Sequence, residues 1–454
     1  MAIQSKEARV GRVPSPSLAH RIGGWLPHDP KAVQHHVSEI LKRARADRLP
    51  DAPPIKALRD LIKANPNLYM LFTEMLTEVP TRPPYNTIPG GGPEIRDLET
   101  LILALNYQIQ HPIGYNDSAQ IGTPINAILD WPMATKAGFA AFIREDVNKV
   151  FKDMLDYWGK YLTTSDSRQT VTTDPGGWLS QTAQTEEAGL RNFLDTYVVP
   201  NPDDPIHYGF DSWDHFFTRD FKHGLRPLAC PHDDNVIVSA TESTPLYIRR
   251  NVNLRDTFWV KNPDGRSNYS LVDMLGDEGM AQKFVGGTVY QAFLSADSYH
   301  NWHAPVSGSY VEDSPRIING AYYSEPLMWG FSPDKGIAHP DIGADELSQS
   351  YISAVAKRGV AYIKADNPDI GLMAVVMIGM AEVSSVEFFD KPNGFKKGDK
   401  IGRFHFGGST HCLIFGPNVK LSFNLDAIPN PGVQNPGSPI HVLSRLATVN
   451  PSNC

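Results

Sequence analysis

A change of hydrophobic period near Pro200 constrains this chain more than any other feature of its sequence. Before it, apolar residues recur every three or four positions. Val33, Val37, Ile40, Leu41 and Ala44 mark an amphipathic helix over Ala32–Ala44. Ile55, Leu58, Leu61 and Ile62 mark a second, and Leu68, Leu71, Phe72, Met75 and Leu76 a third. Ala137–Leu162 reads as one further helix, with Phe142, Val147, Phe151, Leu155 and Trp158 on one side. After Pro200, short β-rich runs alternate with Gly, Pro, Asn and Asp: Asn235–Ser239, Thr288–Leu294, Gly359–Ala365, Leu372–Ile378 and Cys412–Phe415. The pattern predicts an α+β fold, with a helical N-terminal domain over 1–200 and a mostly-β domain over 205–454. Asn201–Asp204 (NPDD) is the expected linker. Residues 1–30, Pro80–Pro93 with its glycine triplet, and Ala427–Pro439 are expected to be irregular.

Composition removes several classes of function. The net charge of −8 argues against a protein that binds nucleic acid, which normally presents a basic face. Three scattered cysteines, Cys230, Cys412 and Cys454, form no CxxC pair, so neither a disulfide framework nor a structural zinc site is expected. The first residues lack the apolar run of a secretory signal. No window reaches the roughly 18 apolar residues of a membrane span, and Gly371–Val383 (GLMAVVMIGMAEV), broken by Glu382, reads as buried strand. The expectation is a cytoplasmic protein without an integral membrane anchor.

Three segments carry possible chemistry: Phe404–Thr410 (FHFGGST), Ser298–Pro305 (SYHNWHAP) and Ser239–Ser243 (SATES). A Gly-Gly-Ser run is most often a turn. Here it lies between the apolar runs Ile401–Phe406 and Cys412–Phe415, where a hairpin has no obvious use. Two glycines before a hydroxyl remove the Cβ atoms that would shield the preceding carbonyl, so Ser409 Oγ could reach Gly408 C=O. His300 and His303 are compatible with structural histidines, with half of a metal site, or with activation of a hydroxyl. No carboxylate or cysteine accompanies them at ligand spacing. A histidine that activates a hydroxyl needs an orienting partner, and Glu242 after an apolar strand is a candidate, as is a solvated turn for the same residue. A serine hydrolase would need a GxSxG elbow, whereas Ser409 is followed two positions later by His411.

Taken in order, four segments resemble the phosphatidylserine decarboxylase family: Tyr208–Leu228 (YGFDSWDHFFTRDFKHGLRPL), Asp297–Pro305, Gly371–Val386, and Lys397–Thr410 (KGDKIGRFHFGGST). Gly24-Trp25-Leu26, Thr135–Phe142 and Trp158–Arg168 are similar to the fungal soluble branch of that family, which includes the L-tryptophan decarboxylases of psilocybin biosynthesis. The resemblance implies a chain that cuts itself between Gly408 and Ser409 and converts Ser409 into a pyruvoyl group, with no metal and no pyridoxal phosphate. It implies that Ser409 is the nucleophile, that His303 activates it, and that His300 serves decarboxylation. It implies a Schiff base with a small amino-acid substrate, tryptophan first, with phosphatidylserine as the alternative. The cleaved small chain 409–454 is expected to stay with the large one. Glu242 stands where the family usually has the aspartate of a PADG-like motif, a departure that leaves its orienting role open, with Glu382 as the fallback acid.

Overall fold

The computed structural model describes residues 31–79, 94–116, 122–133, 135–186, 188–256, 268–323, 349–382, 385–429 and 439–450. The expected irregular arm 1–30, Gly24-Trp25-Leu26, the loop Pro80–Pro93, Cys454 and most of the expected irregular stretch Ala427–Pro439 lie outside them.

The first half is helical. Helices α1 (Lys31–Asp47), α2 (Pro53–Ala64) and α3 (Pro66–Glu78) follow the three apolar stripes of the sequence. Prolines open α2 and α3, where a missing N–H costs nothing, and Asn65 caps α3 by accepting from Leu68 N–H. Two further helices, α4 (Leu98–Gln108) and α5 (Pro124–Met133), complete the layer below them. The single helix expected over Ala137–Leu162 is instead two, α6 (Lys136–Phe142) and α7 (Glu145–Leu162). Arg144 is extended at φ −72° and ψ 139°, and Glu145 and Asp146 place carboxylates at the positive end of α7. The Asn148 amide then donates to the Phe142 and Arg144 carbonyls freed by the break. Asn201–Asp204 opens a tight turn in which Asp204 accepts from the N–H groups of Ile206, His207 and Gly209. A short helix, α8 (Trp213–Phe217), ends the helical part.

The second half is built on an antiparallel sheet. Its strands are β2 (Thr244–Arg250), β3 (Thr288–Leu294), β11 (Ser409–Phe415), β8 (Leu372–Gly379), β7 (Arg358–Ala365) and β5 (Gly308–Tyr310), in that order, and β6 (Arg316–Ile318) also pairs with β7. Two three-stranded sheets accompany it. One has β4 (Asn301–His303), β10 (Lys400–Phe404) and β9 (Val386–Phe388); the other has β1 (Val236–Val238), β13 (Arg445–Val449) and β12 (Leu421–Phe423). Side chains alternate across the main sheet. Leu413, Phe415, Val375 and Met377 share a core with Trp302 and Phe404, while Cys412, Ile414, Val376 and Ile378 pack with Leu271, Ile352 and their neighbours on the other face. The fold is α+β.

A third apolar core belongs to the helices, yet it includes Tyr299, Tyr322, Tyr323, Phe406 and Val442 from the second half. Phe406 meets Trp158 at 5.2 Å and Trp213 at 4.6 Å between ring centroids, both edge-to-face. The helical part therefore grips the segment that leads into Gly407. Among the described residues no helix is long and apolar enough to cross a membrane.

Candidate active site

The Gly-Gly-Ser run is no hairpin. Gly407 has φ +125°, a conformation a side chain would strain, and the chain passes straight from it into β11 at Ser409. Ser409 pairs with Leu294 on one side and Gly379 on the other, so the strand begins three residues earlier than its apolar run Cys412–Phe415 suggests. By alternation its side chain shares a face with His411, Leu413 and Phe415. The Ser409 hydroxyl is fully buried and makes no hydrogen bond to any described residue. An unmet buried hydroxyl is costly, roughly 1–3 kcal/mol. One residue back, the Gly408 carbonyl accepts from Met380 N–H at 3.0 Å. A donor already on that oxygen is what a developing negative charge there would require.

The two histidines differ in their surroundings. His300 is fully buried, stacked on Phe217 at 4.3 Å, and its backbone carbonyl accepts from Phe404 N–H. Its Nδ1 lies 2.9 Å from the Ser298 carbonyl, which makes Nδ1 the protonated nitrogen and leaves the lone pair on Nε2. Nε2 has no hydrogen-bond partner among the described residues. Burial, with the Arg219 cation adding to it, pushes the ring down to about 3, so it is neutral at physiological pH. His303 is fully engaged. Its Nδ1–H points at the Gly398 carbonyl at 2.8 Å and its Nε2 lies 3.0 Å from the Tyr299 hydroxyl. Burial lowers its pKa also, and nearby Lys400 adds to that, against the Gly398 bond.

Glu242 does not join them. Its carboxylate takes Arg226 through both oxygens, His441 at 2.7 Å and the Val442 N–H at 2.8 Å. Burial opposes its ionisation, but the His441 and Arg226 bonds outweigh that and hold it below the ordinary glutamate value. The expected Glu242–His303 pair is not formed because those partners claim the carboxylate first. Glu382, the fallback, accepts through Oε1 from the N–H groups of Ile125 and Asn126 at the start of α5. The orienting group on His303 is a backbone carbonyl, made available by Gly398 at φ +89°. The acid within reach is Asp220, 3.4 Å from the Tyr299 hydroxyl and ion-paired with Lys400. Sequence reasoning missed Tyr299, Asp220, Gly398 and the Met380 N–H. Tyr299 adjoins His300, the one sequence signal among them; the others act through backbone groups or across long separations. His411 was also passed over. It is fully buried, with Nδ1 at 3.1 Å from the Thr241 hydroxyl.

Beside this site lies a cavity of about 390 Å³, bounded by Leu155, Trp158, Asp214, Glu382, His405 and Phe406 among others. His405 is clamped between Asp214 at 2.8 Å and Glu387 at 3.1 Å, which together outweigh its burial and raise its pKa. Among the described residues no group of three or more His, Cys, Asp or Glu is placed to hold a metal ion.

Residues 52–187 and 213–430 match two family models, each described as phosphatidylserine decarboxylase. Decarboxylase iboD of Amanita muscaria is 41% identical over 320 residues, covering 68% of this chain and 87% of that protein. The chain belongs to the phosphatidylserine decarboxylase family. It is a decarboxylase, a carboxy-lyase. L-tryptophan decarboxylase of Psilocybe cubensis is 30% identical to this family member over 410 residues, 86% of this chain and 87% of that one. Phosphatidylserine decarboxylase proenzyme 3 of Schizosaccharomyces pombe is 29% identical over 223 residues, 49% of this decarboxylase and 20% of its relative.

Proposed function

We propose that the chain is a pyruvoyl-dependent decarboxylase that cuts itself between Gly408 and Ser409 and acts on a free aromatic L-amino acid, tryptophan above others. The observation that carries this reading is the buried, unpartnered Ser409 hydroxyl beside a Gly408 carbonyl already held by Met380 N–H. Those residues fit a pyruvoyl group, since the unmet Ser409 Oγ would depart with the Gly408 carboxylate and leave an apolar methyl on Cβ, with the ketone at Cα.

In this reading His303, carrying its lone pair on Nε2, exchanges Tyr299 for Ser409 and takes the hydroxyl proton. Ser409 Oγ bonds to the Gly408 carbon, the amide C–N bond breaks, and the freed nitrogen receives the proton. The Met380 N–H steadies the oxygen through the step. Loss of the Ser409 α-proton then expels the Gly408 carboxylate, and water releases ammonia to leave the ketone. That ketone supplies an electrophile for a substrate amine and an acceptor for the electron pair left as carbon dioxide departs. His300 Nε2 accepts a proton as the amine is engaged and returns it to the carbon that lost its carboxylate. The phenylalanine stacked on it keeps water from its face.

The choice of a free amino acid rests on the P. cubensis relative, named for tryptophan, which aligns through the helical half as well. The same proposal treats 1–200 as a helical domain, 205–454 as the catalytic domain, and the cytoplasm as the workplace. Mass spectrometry of the purified protein tests it: a small fragment beginning with a pyruvoyl residue at 409 is expected, and full-length chain alone overturns it. Assay of L-tryptophan against phosphatidylserine vesicles tests the substrate, and preferred turnover of the lipid overturns that part.

A further inference from the structure

Helix α7 carries a glycine where nothing in the packing requires one. Gly159 lies in its last turns, where glycine costs up to about 1 kcal/mol relative to alanine. Its conformation is ordinary helix, and a Cβ placed on it would meet no atom within 4 Å. Leu155, Gly159, Leu162 and Thr163 fall at i, i+4, i+7 and i+8, one stripe of the helix, and all four border the 390 Å³ cavity. The middle position of that stripe is the one without a side chain.

The cavity stands next to the bond to be cut. Phe406, on its wall, is two residues before Gly408. Glu382, also in its lining, is two residues after Met380, whose N–H holds the Gly408 carbonyl. Its lining is apolar at Leu155, Trp158 and Phe406, the two rings set edge to face, and polar at Lys160, His405, Asp214 and Glu382, whose carboxylates can accept a hydrogen bond. Such a slot suits a planar apolar ring that carries an N–H or O–H donor.

Resting on the free amino-acid reading, we propose that this cavity receives the substrate's aromatic side chain and that Gly159 sets how large that side chain can be. Gly159 touches neither Ser409 nor the histidines, so its substitution separates specificity from self-cleavage.

The test uses Gly159→Cys, which adds little bulk, purified after the chain has split. One portion is alkylated with methyl methanethiolsulfonate and another with a naphthyl maleimide, and wild-type protein is treated alongside to account for its own cysteines. Modification after maturation removes folding from the comparison. The loss in kcat/KM for L-tryptophan should follow added bulk, smaller for the methylthio adduct and about tenfold or more for the naphthyl adduct, each measured against the unmodified variant. Complete labelling by mass with unchanged kcat/KM overturns the proposal and leaves the decarboxylase reading intact. Wild-type protein that splits yet turns over only phosphatidylserine overturns the proposal together with the free amino-acid reading on which it rests. Gly159→Phe made directly gives a second measure, since a split Gly159→Phe chain with wild-type kcat/KM for L-tryptophan also rejects the assignment.

Discussion

In the proposed mechanism Ser409, His303 and His300 serve different steps, so substitution can separate them. Ser409→Ala should leave one uncut, inactive chain on a denaturing gel. His303→Ala should also stay uncut, whereas His300→Ala should split and then decarboxylate about 10²–10⁴-fold more slowly, the usual span for a lost proton carrier. A normally split His303→Ala protein would reverse the assignment. Glu242 belongs to a different account. It bonds Arg226 ahead of the cut and His441 and Val442 beyond it, so Glu242→Gln should lower stability by roughly 2–4 kcal/mol, between the exposed and buried limits for an ion pair. Its folded pKa is depressed, so its contribution is complete above the ordinary glutamate value of 4.5 and fades as pH falls through and below it. Denaturant midpoints of wild type and Glu242→Gln should therefore converge on acidification. At this scale the sequence singled out Ser409 as a candidate, because a diglycine before a hydroxyl sits between apolar runs and matches the family's pattern. It hid Met380 and Gly398, whose contributions are an N–H and a carbonyl that every residue possesses.

Helices and strands were legible where period and burial agreed. Thr288–Leu294 is all apolar or buried and was readable as β3, and the stripe of α1 is plain. The division between α6 and α7 was not, because the apolar spacing runs on across Ile143-Arg144 while the backbone turns there to satisfy Asn148. The start of β11 was hidden for a related reason: Ser409, Thr410 and His411 are polar, yet all three are fully buried. Between these elements, Phe406 joins Trp158 of α7 to Trp213 of α8. Phe406→Ala should cost about 3–5 kcal/mol in thermal or denaturant unfolding, the range for a deleted core aromatic. It should also slow splitting, since the segment into Gly407 loses its anchor. Splitting at the wild-type rate in a measurably destabilised Phe406→Ala protein would show that the anchor matters to folding alone.

For the whole molecule, the proposed cut falls at the edge of a strand that is paired along both sides. Residues 409–415 remain bonded to β3 and β8, and β12 and β13 form their own sheet with β1. The two chains should co-migrate in native size exclusion and part only in denaturant; separation under native conditions would contradict the sheet order. The overall plan, helices then strands, was readable from period alone. The grip of the helical layer on Phe406 and Tyr299 was not, because it depends on tertiary packing that local spacing does not encode.

The central seat of β11 sets a timetable for the molecule. A strand flanked by neighbours on each side is most simply woven in while still tethered, so the proposed cut would have to wait until assembly is over. On the proposed reading, maturation would act as a proofreading mark, issued only to copies whose interior has already closed around Ser409.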